Sequence, residues 1–342
     1  MIEFLHPDAQ GLSGIALLKG TDRMDGRYYC FADFEFTCGY MITRNKSEVL
    51  SVGLVICDSD FELCETFYET ACPNRYPKLT KQCRSLTKLD QDEIYRSPDS
   101  DAVMAQAVAL LKKYGIDRIC VWGNFDAPGL EADILQHERL RRGAGNVRKI
   151  RSLVTDIQAE LTRKMELPQA VNIKELADAF GYVPEQGTFH NALNDAMALY
   201  SVCKAVYTTD FASCPGFAKM KQQRVEKIEA EKKAAEERRR LIAQKYPLSE
   251  EEKAFIEQLN STHEGRRVQD YMRLRMRIIN AFEAHPEEEQ FYALTFRSYK
   301  DEYKVLTGKQ YSKKTYPGNV EVRLVERLPK DDKVYIRIQR NL

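Results

Sequence analysis

The stretch "YYCFADFEFTCGY", residues 28–40, sets two carboxylates, Asp33 and Glu35, in the middle of an apolar, β-forming run. Side chains of a strand alternate sides with a period of two. Asp33 and Glu35 therefore share one face, and Phe34 and Phe36 share the other. Two like charges side by side repel each other. They are tolerated on a solvated edge or around a bound cation, and the stretch alone leaves both readings open.

Outward from this strand, the pattern alternates strands and helices. "SEVLSVGLVICDSDFELCETFYET" (47–70) predicts a hairpin turning at "CDSD". "DAVMAQAVALLKKYG" (101–115) has helical spacing and a glycine stop. "DRICVWGNF" (117–125) predicts a short buried strand, and "GLEADILQHERLRRG" the helix after it. "VRKIRSLVTD" (147–156) predicts a further strand, followed by helices near 156–165, 173–180 and 191–207. The expectation is an α/β fold, a mixed sheet flanked by helices. Residues 1–26 are expected to be a poorly ordered leader, and 27–210 the α/β domain. Residues 211–248 are expected to form a charged helical linker, with Glu→Lys/Arg pairs at i,i+4 across 218–245. Residues 249–342 read as a smaller basic α+β region: two helices over 249–285 and a hairpin over 320–340.

Of the 342 residues, 43% are hydrophobic and 30% charged, a soluble globular composition. No apolar run approaches the ~18 residues of a membrane span, and the first residues lack the pattern of a secretory signal. Nine cysteines without C-x-x-C pairs argue against a disulfide scaffold or zinc knuckle and for a reducing, cytoplasmic location. The net charge of +1 conceals an asymmetry. Residues 1–217 hold 24 Lys and Arg against 30 Asp and Glu; residues 218–342 hold 28 against 21. The acidic part suits cations and the basic part a polyanion.

Three features answer the opening question. Asp126 follows the buried strand and opens a helix, where sites form in α/β sheets, although an ordinary N-cap also explains it. His190 and Asp195 lie five residues apart, about 140° around a helix, so they meet only if His190 sits on the entering loop. Four carboxylates suffice to hold two divalent cations through oxygen ligands, and two such ions can activate water against a phosphodiester. Imidazole can take the proton from that water near neutral pH.

"FADFEFT", "WGNFDAPGLEAD" and "HNALNDA" resemble the three motifs of DEDDh 3′→5′ exonucleases, in the family's order, over residues 28–207. The resemblance implies a ribonuclease-H-like fold. It implies that Asp33, Glu35, Asp126 and Asp195 are the ligands of two Mg²⁺ or Mn²⁺ ions and that His190 is the general base. The implied reaction releases nucleoside 5′-monophosphates from a single-stranded 3′ end. "WGNFD" and "CPNRYPKLTKQCRSLTKLDQDEI" look like the KapD-like and histone-mRNA-trimming branch, which favours RNA over DNA. A DNA proofreading or repair subunit, or a non-catalytic binding module on the same fold, are the alternatives.

By the same resemblance, the backbone at Phe36 and Thr37 lies against the terminal nucleoside, whether or not the Phe36 ring is core, and Leu86 wedges between the last two bases or packs in the core. Trp122 either packs or stacks on a base. In the basic region, Arg266, Arg273 and Arg277 fall near one helical face, and Tyr335 and Arg337 share a strand face. Both sets suit nucleic acid or an ordinary solvated face. The charged helix 218–245 and the C-terminal region are also candidates for docking a protein partner.

Overall fold

The computed structural model describes residues 28–40, 42, 44–184, 190–248, 250–261, 265–288, 290–296, 303–307, 309–310, 320–330 and 333–340. The expected leader over 1–26 lies outside the described residues. The chain divides into two units, ending at Lys227 and beginning at Ile228.

In the first unit, β1 (Tyr29–Phe36), β2 (Val49–Cys57) and β3 (Leu63–Thr70) form an antiparallel meander; β4 (Ile119–Val121) and β5 (Val154–Asp156) add in parallel, in the order β3-β2-β1-β4-β5. All nine residues of β2 are buried. That is why "VLSVGLVIC" is almost continuously apolar rather than alternating. The short helices α1 (Lys81–Thr87) and α2 (Gln91–Arg96) follow the meander, each opened by a side-chain cap from Thr80 or Asp90.

Helices α3 (Ser100–Lys113), α4 (Asp126–Arg139) and α5 (Gly145–Leu153) cover one face of the sheet, packing Met104, Leu130 and Ile150 with Cys30, Ala32 and Phe34 of β1. Helices α6 (Gln158–Lys164), α7 (Ile173–Ala179) and α8 (Ala192–Thr208) cover the other, packing Leu161, Leu176 and Leu199 with Tyr29 and Phe31. The mixed sheet flanked by helices is thus the one expected.

Two local expectations are corrected. Residues 147–156 are mostly α5, not a strand, and only Val154–Asp156 pair with β4. The apolar residues of "VRKIRSLV" recur at intervals of three, and Val147 and Ile150 are the buried ones, so the spacing was helical. The strand expected over 117–125 stops at Val121: Gly123 adopts φ +88° and Phe125 is already in the right-handed helical region.

Helix α9 (Pro215–Lys245) carries the charged segment and buries only Phe217 and Met220. In the second unit, α10 (Glu250–Ser261) and α11 (Gly265–Ala284) accompany an antiparallel sheet of β6 (Gln290–Phe296), β7 (Tyr303–Thr307), β8 (Val320–Lys330) and β9 (Lys333–Arg340), in the order β7-β6-β8-β9. Its core joins Leu274, Ile278 and Phe282 to Phe291 and Val325. Buried Arg275 is satisfied by Glu252 at 2.8 Å and by the carbonyl of Tyr246 at 2.9 Å. Among the described residues no helix is long and apolar enough to cross a membrane.

Candidate active site

The alternation of β1 places Asp33 and Glu35 on the face of Tyr29 and Phe31, the face covered by α8. Their partners across the sheet are Gly53 and Ser51 of β2. Gly53 decides how closely α8 approaches. A Cβ there would lie 2.3 Å from the carbonyl carbon and oxygen of Ala192 and 2.4 Å from the amide nitrogen of Leu193. The first turn of α8 therefore rests directly on β2, and Asp195, in that turn, arrives over the two strand carboxylates. The turn is capped by Asn191, whose side chain accepts from Leu193 and Asn194 at 3.1 and 3.2 Å. Gly53→Ala forces backbone apart at this contact, an overpacking of about 1–3 kcal/mol or more. A melting temperature lowered by several degrees, with turnover reduced alongside it, is expected; a variant with parental melting and rate would show that the contact is not needed.

His190 sits on the entering loop, in the left-handed region at φ +69°, with its side chain exposed. Its backbone N–H donates to Asp195 Oδ2 at 2.8 Å. The loop-and-helix arrangement required by the five-residue spacing is therefore present, tied through the backbone.

Asp33, Glu35 and Asp195 each offer a carboxylate oxygen within 4.8 Å of the others. Asp126 is buried at the first position of α4; the residue before it, Phe125, occupies the cap position, so Asp126 is not an N-cap. Burial foremost raises all four carboxyls, and neighbouring negative charges add to it at Asp33, Glu35 and Asp126. Asp33 is held well above the usual carboxylate range, Glu35 rises to about 8 and Asp126 to about 7. Asp195 is raised by burial against the opposing pull of the His190 N–H. The Phe34 N–H likewise holds Asp126 partly down. None of the four makes an ion pair with a Lys or Arg among the described residues.

Half-buried carboxylates gathered together, with only oxygen donors in the cluster, fit a hard divalent cation. Asp33, Glu35 and Asp195 are the residues that would hold it; the Asp126 charge lies near them but outside this converging group. The sign of the pH effect follows. Unfolded carboxyls ionise near pH ~4. Because the folded values are raised, the metal-free fold loses stability as pH climbs from there through about 7 and about 8 for Asp126 and Glu35. In chelator, the melting temperature is expected to fall between mildly acidic and mildly alkaline pH, and Mg²⁺ or Mn²⁺ should suppress that fall. Parallel pH curves with and without metal would count against a cation at this cluster.

The other predicted residues divide. Leu86 stands exposed at the end of α1. The Phe36 ring packs with the α3–α5 core and fills the space a Gly129 Cβ would occupy, so the ring itself serves packing. Thr37 is buried and tied to Glu48 in both directions, its N–H donating to the Glu48 carbonyl at 2.8 Å and its Oγ1 accepting from the Glu48 N–H at 2.9 Å. That N–H is not available to a nucleoside. Trp122 packs against the α8-side core and donates its indole N–H to the Val171 carbonyl at 3.0 Å, which favours packing over base stacking. Arg273 and Arg277 are exposed on α11, Arg273 beside Asp270 at 3.7 Å. The side chains of Arg266, Tyr335 and Arg337 lie outside the described residues.

Several contributors went unnoticed in the sequence. Gly53 and Asn191 place α8. Tyr68 of β3 has a hydroxyl whose proton loss is disfavoured by burial and by the nearby Glu93 and Glu35 carboxylates, while Ser51 and Asn191 hydrogen-bond it. A glycine inside an apolar strand is the one signal that could have been read, because such glycines mark close backbone approach.

A family model described as Exonuclease (RNase_T) matches residues 30–203. The chain is similar to the probable 3′-5′ exonuclease KapD of Bacillus subtilis (strain 168), 27% identical over 180 residues, covering 51% of this chain and 82% of that protein. It is also similar to two solved structures. One describes 3′-end-specific recognition of histone mRNA stem-loop by 3′-exonuclease, at 18% identity and a TM-score of 0.45, spanning 55% of this chain and 64% of that one. The other is the nuclease domain of 3′hExo, a DEDDh family member, bound to rAMP, at 19% identity and a TM-score of 0.45, spanning 55% of this chain and 93% of that one. With the matched segment running from β1 into α8 and enclosing the whole carboxylate cluster, the chain belongs to the exonuclease family.

Proposed function

We propose that the chain is a divalent-cation-dependent 3′→5′ exonuclease of single-stranded nucleic acid, acting on RNA ahead of DNA, in the cytoplasm, and releasing nucleoside 5′-monophosphates. The observation that carries this reading is the convergence of Asp33, Glu35 and Asp195 from β1 and α8, beside buried Asp126 and exposed His190. Two bound Mg²⁺ or Mn²⁺ ions would supply activation of water and stabilisation of the leaving oxygen. The four carboxylates orient the site around the scissile phosphate. His190, on its exposed loop, accepts the proton of the attacking water at its imidazole. Its backbone N–H meanwhile holds the Asp195 oxygen in place. Leu86 is the residue assigned to wedge between the terminal bases, and its exposure on α1 supports that role.

The preference for RNA is supported by the likeness of "WGNFD" and of residues 72–94 to the RNA-trimming branch. The test is a time course on matched RNA and DNA oligonucleotides labelled at the 5′ end, with Mg²⁺ and with Mn²⁺. A ladder shortening one nucleotide at a time from the 3′ end, faster on RNA, is expected. Internal cuts, or no products with either metal, would refute the activity; a faster DNA ladder would reverse the preference.

A further inference from the structure

We infer that Arg75 and Arg139 form a phosphate-binding site for the nucleic-acid backbone upstream of the cleaved end. The inference rests on the reading of the chain as an exonuclease of nucleic acid. The centre of the site is Gln136 of α4, a fully buried amide. Its Nε2 donates to the carbonyls of Asn45 at 3.1 Å and Ala132 at 3.3 Å. Two carbonyls on that side determine which end of the amide is nitrogen. Its Oε1 accepts from the Arg75 guanidinium at 3.1 Å and from the Arg139 guanidinium at 3.3 Å. Two full positive charges are thus held on one neutral oxygen, where like charges repel.

No carboxylate relieves them: neither arginine makes an ion pair among the described residues. The nearby acids are engaged elsewhere. Glu48 accepts the backbone N–H groups of Asn74, Arg75 and Tyr76. Asp133 takes the Val49 N–H and the Ser100 hydroxyl. Asp99 pairs with Arg142, which also bonds Asn74. Glu48 therefore anchors the backbone of the loop that presents Arg75, and Gln136 anchors both guanidiniums, while both arginines stay exposed. Paired guanidinium forks match the oxygens of a phosphate, and an anion between them removes their repulsion.

Position identifies the phosphate. Helix α4 starts at Asp126 and ends at Arg139. At ~1.5 Å per residue the two lie about 20 Å apart. A stacked strand rises ~3.4 Å per nucleotide, so the gap corresponds to about six nucleotides, fewer if the strand is extended. The site is out of reach of the terminal nucleotide and serves the chain behind it.

The test uses the full-length chain, the double variant Arg75→Gln/Arg139→Gln and the charge-keeping Arg75→Lys/Arg139→Lys. Binding of a long 5′-fluorescein oligoribonucleotide is followed by anisotropy in chelator across a salt series, and turnover of a dinucleotide is measured with Mg²⁺. The Gln pair is expected to lose affinity about tenfold, in line with charged hydrogen bonds. Its log–log salt slope should be shallower by about 0.7, the single-strand value for one phosphate. The dinucleotide should be cleaved at the parental rate, and the Lys pair should keep the parental slope. Unchanged affinity and slope in the Gln pair overturn the inference. So does a thermal shift with inorganic phosphate that the Gln pair abolishes while oligonucleotide binding stays intact, since the site would then take free phosphate. If the Gln pair melts early, Arg139→Gln alone, which leaves Arg75 on Gln136, carries the same comparison. Failure of the exonuclease reading appears separately, as uncut oligonucleotides with both metals, while anisotropy in chelator still reads the site.

Discussion

Asp33→Asn is expected to lower turnover by about 10³-fold or more and, in chelator, to raise the melting temperature of the protein. Both effects have one origin. The Asp33 carboxyl is held far above its ordinary range by burial and by Asp126, Asp195 and Glu35. Without a cation, its charge is a liability to the fold. With one, it would be an oxygen ligand beside Glu35 and Asp195, whose carboxylate oxygens lie within 4.8 Å. Removing it relieves the metal-free protein and disables the loaded one. Glu35→Gln should behave alike, because Glu35 is raised to about 8 by burial, Asp195 and Asp126. Asp126→Asn and Asp195→Asn should lose turnover equally, with a smaller gain in stability, since each carboxylate also accepts a backbone N–H. Melting curves in chelator and initial rates with Mn²⁺, taken on the same preparations, read both effects. Full activity in any of the four would move the reaction away from this cluster. Lost activity with no rise in melting temperature for Asp33→Asn would show that repulsion is not what the cation relieves.

His190→Asn is expected to lower turnover by about 10²–10⁴-fold, the range of a positioned general base. Asparagine is the informative replacement because His190 lies at φ +69°, a region Asn enters readily and most other residues do not. The backbone N–H should go on donating to Asp195 Oδ2, now 2.8 Å away, so the carboxylates stay arranged. Calorimetry should find metal binding preserved, and added imidazole should restore part of the rate. His190→Ala should lose the same rate and some stability besides, from strain in the loop. Loss of metal binding in His190→Asn would make the histidine a ligand; an undiminished rate would remove it from the chemistry.

Alternation along β1 was enough to put Asp33 and Glu35 on one face, and the five-residue spacing of His190 and Asp195 was enough to demand a loop and a helix. Both are local rules, satisfied by backbone geometry within a few residues. The strand 28–37, the hairpin over 47–70 and the helices at 101–115 and 191–207 were readable for the same reason: each buries a face whose period is written in consecutive positions. Residues 147–156 read as a strand because a period of three and a period of two overlap in so short a run, and only burial of Val147 and Ile150 separates them.

The roles of Phe36, Thr37 and Trp122 could not be chosen from sequence, because packing against Gly129, pairing with Glu48 and bonding to Val171 involve partners distant in the chain. The same holds for Gln136, whose two ends gather residues from three separate segments. The order of the chain thus dictated which carboxylates exist, on which elements and facing which way. Only the packed fold, through the missing Cβ of Gly53 and the cap at Asn191, decided that α8 comes close enough to bring Asp195 over Asp33 and Glu35. Periodicity is a property of neighbours in sequence, whereas distance between elements is set by what their facing surfaces allow.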